Sequence, residues 1–184
     1  MIESQKSKLR KKFIKLRNSI KHRSFKEKKI KQKLEQLINL NNVPVGVYMS
    51  VKSEVDISNF VKYLQKNNQK IALPIIYKLN SHLLFKQWRI NEKLVFGKFN
   101  IKIPSNDILL NPKILLIPMV SFDSKKNRLG YGGGYYDKTI SFFERNGSIL
   151  KFGIAFDEQE TEKVPSMEFD KKMDIIVTQS RIII

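Results

Sequence analysis

A glycine-rich stretch at residues 128–137 constrains this chain more than any other feature. Four of the protein's eight glycines fall within it, and such runs permit positive φ and close approach of a ligand to the backbone. The apolar segment 114–117 predicts a buried strand before the stretch, and the apolar positions Tyr136, Ile140 and Phe143 predict a helix after it. A strand, a glycine loop and a helix start form a phosphate site, because free N–H groups and the helix dipole both favour anions.

Two charged residues at the ends of this stretch extend the prediction. Arg128 supplies a guanidinium that can bind phosphate with two hydrogen bonds, and Asp137 supplies a carboxylate oxygen suited to Mg²⁺. The loop is not a Walker A motif, because no Gly-Lys-Ser/Thr follows it. It is not a GxGxxG fingerprint either, because Tyr135 stands at the last glycine. A turn that merely connects a strand and a helix is the simpler alternative.

The composition predicts a single cytoplasmic domain. A length of 184 residues is sufficient for one domain with a sizeable core, so we predict one domain over 1–184. The chain has no cysteine, so neither a disulfide framework nor a thiolate zinc site is expected. Its first residues are charged, and no apolar run reaches the length of a membrane span. We therefore expect no membrane association.

The net charge of +18 is concentrated at the start of the chain, where residues 1–38 contain 14 lysines and arginines against 3 acidic residues. Such a run is typical of nucleic-acid or membrane contact, or of a solvated helix face. No RNP, zinc-finger or helix-turn-helix pattern accompanies it, which favours the solvated face. The second hypothesis is an RNA- or DNA-binding module that uses these helices and the tyrosines for stacking.

Apolar periodicity predicts strands alternating with helices, hence an α/β sheet that is mostly parallel. The predicted strands are 43–49, 71–74, 83–88, 114–117, 152–156 and 175–178, and the predicted helices carry the stripes that begin at Leu9, Ile30, Ile57 and Tyr136. Ser24 and Glu27 predict a capping box at the second helix, and Asp56 predicts a cap at the third. Residues 92–112 are predicted to be irregular.

Individual polar residues carry less information. Glu54 follows the first strand and could face the same crevice as the glycine loop, although a carboxylate there is usually a solvated turn residue. Asp174, likewise, could simply be a solvated turn residue. The two histidines are isolated, and no GxSxG or Cys–His arrangement is present. An enzyme of this sequence would act by positioning and electrostatics.

The segment 128–137, with Ile117-Pro118-Met119-Val120-Ser121-Phe122-Asp123 before it, resembles the signature of the 5-formyltetrahydrofolate cyclo-ligase family, also called methenyltetrahydrofolate synthetases. Weaker matches follow in the family's order over most of the chain. They are Lys6 to Arg10, Met49 to Asp56, Gly153 to Gln159, Pro165, Asp170 and Asp174. Two positions depart from the pattern: Gly133 replaces a lysine of some members, and Ile103 replaces a glutamate of many bacterial relatives.

The resemblance implies a three-layer α/β/α fold (NagB/RpiA/CoA transferase-like) with a mostly parallel central sheet and the N-terminal helices packed on it. It implies cyclisation of 5-formyltetrahydrofolate, free or polyglutamylated, to 5,10-methenyltetrahydrofolate. ATP is the phosphoryl donor, Mg²⁺ is the metal cofactor, and ADP and phosphate are released. A monomer without specific nucleic-acid binding is expected. An ATP-dependent enzyme acting on another acceptor is a further alternative.

The resemblance also implies site residues. Arg128 and Tyr136 are the expected catalytic residues. The expected ATP contacts are Lys6, Ser7, Lys8, Leu9, Arg10, Arg128, Leu129, Gly130, Tyr131, Gly132, Gly133, Gly134, Tyr135 and Tyr136. The expected folate contacts are Met49, Glu54, Phe99, Tyr131 and Tyr135, and the expected magnesium ligands are Asp137 and Asp174.

Overall fold

A seven-stranded sheet runs through the centre of the protein in a computed structural model that describes residues 1–38, 43–98 and 101–184. The helices are α1 Ile2–Asn18, α2 Arg23–Leu37, α3 Ser58–Lys66 and α4 Tyr135–Arg145. The strands are β1 Val45–Gly46, β2 Ile71–Ile75, β3 Leu84–Gln87, β4 Leu94–Phe96, β5 Lys102–Pro104, β6 Ile114–Pro118, β7 Ser121–Phe122, β8 Arg128–Leu129, β9 Leu150–Ile154, β10 Ile175–Val177 and β11 Ile182–Ile183. Within these described ranges no helix is long and apolar enough to cross a membrane.

The sheet is mostly parallel, as the alternating pattern predicts. Its strand order is β11-β10-β9-β6-β1-β2-β3, and the five inner strands are parallel to one another. The two edge strands, β3 and β11, are antiparallel to their neighbours. In the centre, Val45 of β1 pairs with Ile71 of β2 on one side and with Ile114 of β6 on the other.

Helices cover both faces of the sheet, because successive side chains of a strand point to opposite faces. In β6, Ile114 and Leu116 pack into the core formed with α2 and α3, whereas Leu115 and Ile117 pack into the core formed with α4. All four side chains are buried, which explains why β6 is apolar throughout. The three-layer α/β/α fold predicted for this chain is confirmed.

Three local predictions need correction. The capping box at Ser24 does not form: α2 begins at Arg23, and the Glu27 carboxylate accepts from the Asp56 N–H at 3.0 Å. Residues 92–112 are not wholly irregular, because β4 and β5 pair in a hairpin. The first strand is shorter than predicted and pairs only over β1. At Glu27 a contact with the distant residue Asp56 overrides the local pattern, whereas the hairpin forms by pairing of two neighbouring segments.

Candidate active site

The site lies where the strand order of the sheet reverses. From β1 the chain moves outward to β2 and then returns to β6 on the other side of β1. Ligands of open parallel sheets bind beyond the carboxyl ends of the strands at such a reversal. The segment after β1 carries Glu54, and the segment after β6 carries the glycine loop, residues 130–134. The topology therefore places both predicted ligand segments at one edge of the sheet.

A buried carboxylate organises the approach to the glycine loop. Asp123 is 1% exposed and closes the turn between β7 and β8. Its Oδ1 accepts from the N–H groups of Lys125 and Asn127, each at 3.0 Å, and its Oδ2 accepts from the Val164 N–H at 3.0 Å. Because these bonds fix the hairpin, they also fix Arg128 at the start of β8.

Backbone conformation and space both explain the glycines of the loop. Gly132 has φ 101° and Gly134 has φ 64°, values that L side chains rarely adopt. A Cβ on Gly132 would lie 3.2 Å from Cζ of Arg10. Helix α4 begins directly after the loop, and its N-cap residue, Gly134, has no side chain to accept from the first N–H groups of the helix. The first N–H groups of this helix are therefore suited to an anion.

Arg128 contacts the first turn of α4 and has one N–H donor without a hydrogen-bond partner among the described residues. Its side chain is 5% exposed, and NH2 donates to Oδ1 of Asp137 at 2.7 Å. Its Cζ lies 5.9 Å from the centre of the Tyr136 ring. Among the described residues, its buried Nε–H has no hydrogen-bond partner. A buried unpaired donor is costly, so these residues fit an anionic ligand such as phosphate.

Two cations of α1 reach the same region from the N-terminal helix. Lys6 is buried, and its Nζ contacts Oδ2 of Asp170 at 2.6 Å. Arg10, one helical turn later, donates from Nε to the carbonyl oxygen of Gly130 at 3.0 Å. These contacts place α1 against the glycine loop. Part of the basic character of the N-terminal segment is therefore used inside the protein.

The other predicted ATP contacts of α1 point elsewhere. Ser7 and Lys8 are exposed, and Leu9 is half-buried. Lys8 lies with Leu9, Lys12 and Lys163 in a shallow groove. The structure therefore brings Arg10 to the glycine loop and Lys6 to Asp170, and it places Ser7 and Lys8 on the solvent side of the helix.

Glu54 is a buried carboxylate rather than a solvated turn residue. It is 5% exposed, and its Oε2 accepts from the Val51 N–H at 2.9 Å. Burial raises the pKa of Glu54, while that N–H, the charge of Arg17 and a hydrogen bond from the Tyr131 hydroxyl oppose the rise. The result is a carboxyl group that takes up a proton more readily than an ordinary glutamate.

Three tyrosines surround this carboxylate. Burial, followed by the charge of Glu54, raises the pKa of Tyr48, Tyr131 and Tyr136 above the ordinary value of 10.0. Their hydroxyl groups therefore remain protonated at neutral pH and can donate hydrogen bonds. Tyr131 and Tyr136 belong to the predicted ATP segment, so the charge of Glu54 influences side chains of both predicted ligand segments.

The two predicted magnesium ligands have different partners. Oδ1 of Asp137 accepts from Arg128 and, at 3.0 Å, from the N–H of Lys171. Asp174 lies beside the second residue of β9, where its Oδ2 accepts from the Lys151 N–H at 2.8 Å. In the part of the chain that the structure describes, no group of three or more His, Cys, Asp or Glu side chains is arranged for a metal. The predicted folate contact Phe99 lies outside the described residues.

Comparison with known proteins decides the family. The sequence model of the 5-formyltetrahydrofolate cyclo-ligase family matches residues 2–179. The chain belongs to the 5-formyltetrahydrofolate cyclo-ligase family. The resemblance carried by the glycine loop is thereby confirmed, and the chain is an enzyme of this class.

Individual relatives support the same assignment. The 5-formyltetrahydrofolate cyclo-ligase of Escherichia coli K12 is 30% identical over 144 residues, 75% of this chain and 79% of the relative. That of Haemophilus influenzae is 32% identical over 140 residues, 72% of this chain and 74% of the relative. The NMR structure of Aquifex aeolicus 5,10-methenyltetrahydrofolate synthetase superposes with TM-score 0.81 at 26% identity, covering 96% of this chain and 91% of that one.

Two buried residues of this cyclo-ligase site were not predicted. Arg17 is 0% exposed and contacts the segments that follow β1 and β6. Gln159 is 0% exposed and joins the segment after β9 to the carbonyl oxygen of Met119 at 2.6 Å. For Arg17 the signal in the sequence is its spacing after Lys6, Arg10 and Phe13 on one face of α1. Gln159 ends the segment 153–159 that resembles the family, although no site role was predicted for it.

Proposed function

We propose that this chain catalyses the ATP- and Mg²⁺-dependent cyclisation of 5-formyltetrahydrofolate to 5,10-methenyltetrahydrofolate, with release of ADP and phosphate. One observation carries the proposal: an anion cradle and a buried carboxylate follow two adjacent parallel strands, and the Arg17 guanidinium contacts both segments. The cradle consists of the glycine loop, the start of α4 and Arg128, and the carboxylate is Glu54. Family membership supports the reaction and the folate substrate.

The nucleotide is assigned to the cradle because phosphoryl transfer depends on positioned cations and N–H donors around the phosphates. In the proposed reaction the γ-phosphoryl group passes to the formyl oxygen, nitrogen 10 attacks the formyl carbon, and phosphate leaves as the ring closes. Arg128 offers its unpaired Nε–H to the phosphates. Tyr136, whose pKa is raised by burial, offers a hydroxyl donor. These are the two residues to which we assign catalytic roles.

The folate is assigned to the segment after β1. Glu54 holds its carboxylate at the crevice through the Val51 N–H, and a buried carboxylate accepts strong hydrogen bonds from the N–H groups of a pterin. Met49 is 37% exposed and Tyr131 is 41% exposed, so both offer apolar surface to the ring. Met49, Glu54, Tyr131 and Tyr135, with Phe99, form the proposed folate contacts.

Magnesium is assigned to Asp137, with Asp174 as a second proposed ligand. The bonds from Arg128 and Lys171 to Asp137 both use Oδ1, so we assign Oδ2 to the cation, which prefers carboxylate oxygen. Bound magnesium would neutralise charge on the phosphates. Asp174 has a contact with Lys151 that it would have to exchange. The Mg²⁺ requirement of an Asp174→Asn variant tests that second assignment.

The deciding experiment mixes purified protein with 5-formyltetrahydrofolate, ATP and Mg²⁺ and follows the absorbance of the methenyl product. Reactions without ATP, and with a chelator in place of Mg²⁺, serve as controls. We expect product only in the complete mixture, with one ADP formed for each methenyl group. A preparation that forms no product, or forms it equally without ATP, contradicts the proposal. ATP turnover with other acceptors but not with this folate would favour the alternative that the chain is an ATP-dependent enzyme with another acceptor.

The same preparation tests the remaining parts of the proposal. We include a monomeric state, a cytoplasmic location, use of polyglutamylated folate and no specific nucleic-acid binding. Light scattering measures the mass in solution, and fractionation of cells measures the location. Kinetics with mono- and polyglutamylated substrate compare the two forms. Titration of labelled RNA and DNA at physiological salt should give weak, strongly salt-dependent binding.

A further inference from the structure

Arg17 has an unusual position for an arginine. It is 0% exposed, and its guanidinium contacts three segments that are distant from α1. Nε donates to Oγ of Ser53 at 3.1 Å, NH1 donates to the carbonyl oxygen of Met119 at 3.0 Å, and NH2 donates to the hydroxyl of Tyr131. These partners belong to the segment after β1, the segment after β6 and the glycine loop. A single side chain therefore joins both sides of the crevice.

The partners of this guanidinium are neutral oxygens. Removal of a charge from water is expensive, and neutral hydrogen bonds compensate less than a carboxylate in direct contact. A well-packed apolar residue would serve stability at least as well at such a position. The cost of burying Arg17 therefore points to a role in the site rather than to a role in stability alone.

Ser53 and Tyr131 bring this arginine close to Glu54. Ser53, which accepts from Arg17, directly precedes Glu54 in the chain, and the Tyr131 hydroxyl accepts from the same guanidinium. The Arg17 charge also opposes the rise in the pKa of Glu54 that burial causes. Cζ of Arg17 lies 5.5 Å from the centre of the Tyr131 ring, so the guanidinium constrains the ring as well as its hydroxyl.

We propose that Arg17 is a positioning residue for the cyclisation reaction: it binds Ser53 and the Tyr131 hydroxyl and thereby fixes the folate-binding segment relative to the glycine loop. This inference rests on the proposed function. Transfer of a phosphoryl group between two bound substrates requires near-contact of the reacting atoms, and a displacement of about 1 Å can reduce the rate about a hundredfold. A residue without exposed surface does not touch either substrate and acts through Tyr131.

The test compares Arg17→Lys, Tyr131→Phe and the double variant with Lys15→Met. Lys15 is an exposed cation on the same helix, so its replacement controls for loss of charge on α1. For each protein we measure kcat from methenyl formation, the thermal midpoint, and the Kd of 5-formyltetrahydrofolate and of a non-hydrolysable ATP analogue, each titrated alone.

We expect kcat to fall about tenfold to a hundredfold in each single variant, as loss of a charge-assisted hydrogen bond predicts. The Kd of each ligand alone should change by less than about threefold, because the separate subsites remain and only their relative placement is lost. The double variant should be no slower than the slower single variant, because both changes break the same chain of contacts. Lys15→Met should have wild-type kcat.

Four results would overturn the inference. The first two are wild-type kcat in Tyr131→Phe, and a fall of kcat in the double variant equal to the product of the two single losses. The third is a fall of kcat in Lys15→Met as large as in Arg17→Lys. The fourth is an increase in the Kd of either ligand alone that accounts for the whole loss of activity. If Arg17→Lys does not fold, Ser53→Ala replaces it in the same cycle, since Ser53 accepts from the same guanidinium. Wild-type protein without methenyl product would instead refute the proposed function.

Discussion

Replacement of Arg128 by methionine should separate a modest loss of stability from a larger loss of ATP use. The side chain is 5% exposed, and its NH2 donates to Asp137 at 2.7 Å. Methionine keeps most of the stem that packs near Tyr136 and removes only the charged group. The change leaves the Asp137 carboxylate without its guanidinium but with the N–H of Lys171 at 3.0 Å.

The expected loss of stability follows from the exposure of Asp137. Removing one partner of a fully buried ion pair costs about 3–5 kcal/mol, whereas exposed pairs contribute at most about 1 kcal/mol. The carboxylate is 22% exposed and keeps one hydrogen bond, so we expect about 1–2 kcal/mol. In a chain of this size each kcal/mol lowers the melting temperature by about 2–4 °C, hence a fall of about 2–8 °C.

The expected loss of function comes from the buried donor of Arg128. A charge-assisted hydrogen bond to phosphate contributes about 1.5–3 kcal/mol, which corresponds to a fall of about tenfold to 150-fold in kcat/KM for Mg-ATP. Initial rates of methenyl formation against Mg-ATP concentration measure it. Binding of 5-formyltetrahydrofolate alone should be unchanged, because Arg128 is not one of the proposed folate contacts.

A double variant, Arg128→Met with Asp137→Asn, distinguishes the two roles of the arginine when it is compared with Asp137→Asn alone at saturating Mg²⁺. The amide removes the unpaired carboxylate, so the melting temperature should recover while kcat/KM for Mg-ATP stays low. Recovery of ATP use in the double variant would refute the reasoning, because Arg128 would then serve only to neutralise Asp137. A single variant with reduced melting temperature and normal ATP kinetics would refute it as well.

Three further predictions concern other charged residues. Burial raises the pKa of Glu54 above 4.5, so between 4.5 and the higher pKa the native protein binds a proton that the unfolded chain has released. As pH increases through this window, the free energy of unfolding should fall and kcat/KM for the folate should rise. Glu54→Gln should abolish both effects in chemical unfolding and kcat/KM profiles. Asp137→Asn should raise the Mg²⁺ concentration for half-maximal rate and leave folate binding intact in calorimetry, because an amide oxygen is a poorer ligand for a hard cation; an unchanged requirement would contradict the metal assignment. Lys6→Met should lower the melting temperature and weaken ATP use, since it breaks the contact of Lys6 with Asp170. Lys8→Met, at an exposed position, should change the melting temperature and ATP use less. Equal effects of the two variants would contradict the different roles given to Lys6 and Lys8.

Much of the architecture could be predicted from local pattern. The apolar run of β6 and the apolar spacing after the glycine loop identified a central strand and helix α4 correctly. The alternation of strands and helices identified a mostly parallel sheet, because crossover helices bury both faces of such a sheet. Capping at Ser24 and the irregular character of 92–112 were wrong, since Glu27 accepts from Asp56 instead and β4 pairs with β5.

Residue types and their spacing along the chain were sufficient to predict the family, the fold class and the position of the glycine loop. The folded structure was needed to show that Glu54 is buried and that Arg17 contacts the segments after β1 and β6. The three contacts of Arg17 join residues separated by 36, 102 and 114 positions. Periodicity shows which face of a helix is turned inward, but it carries no information about which distant carbonyl or hydroxyl group the folded chain places opposite a given cation.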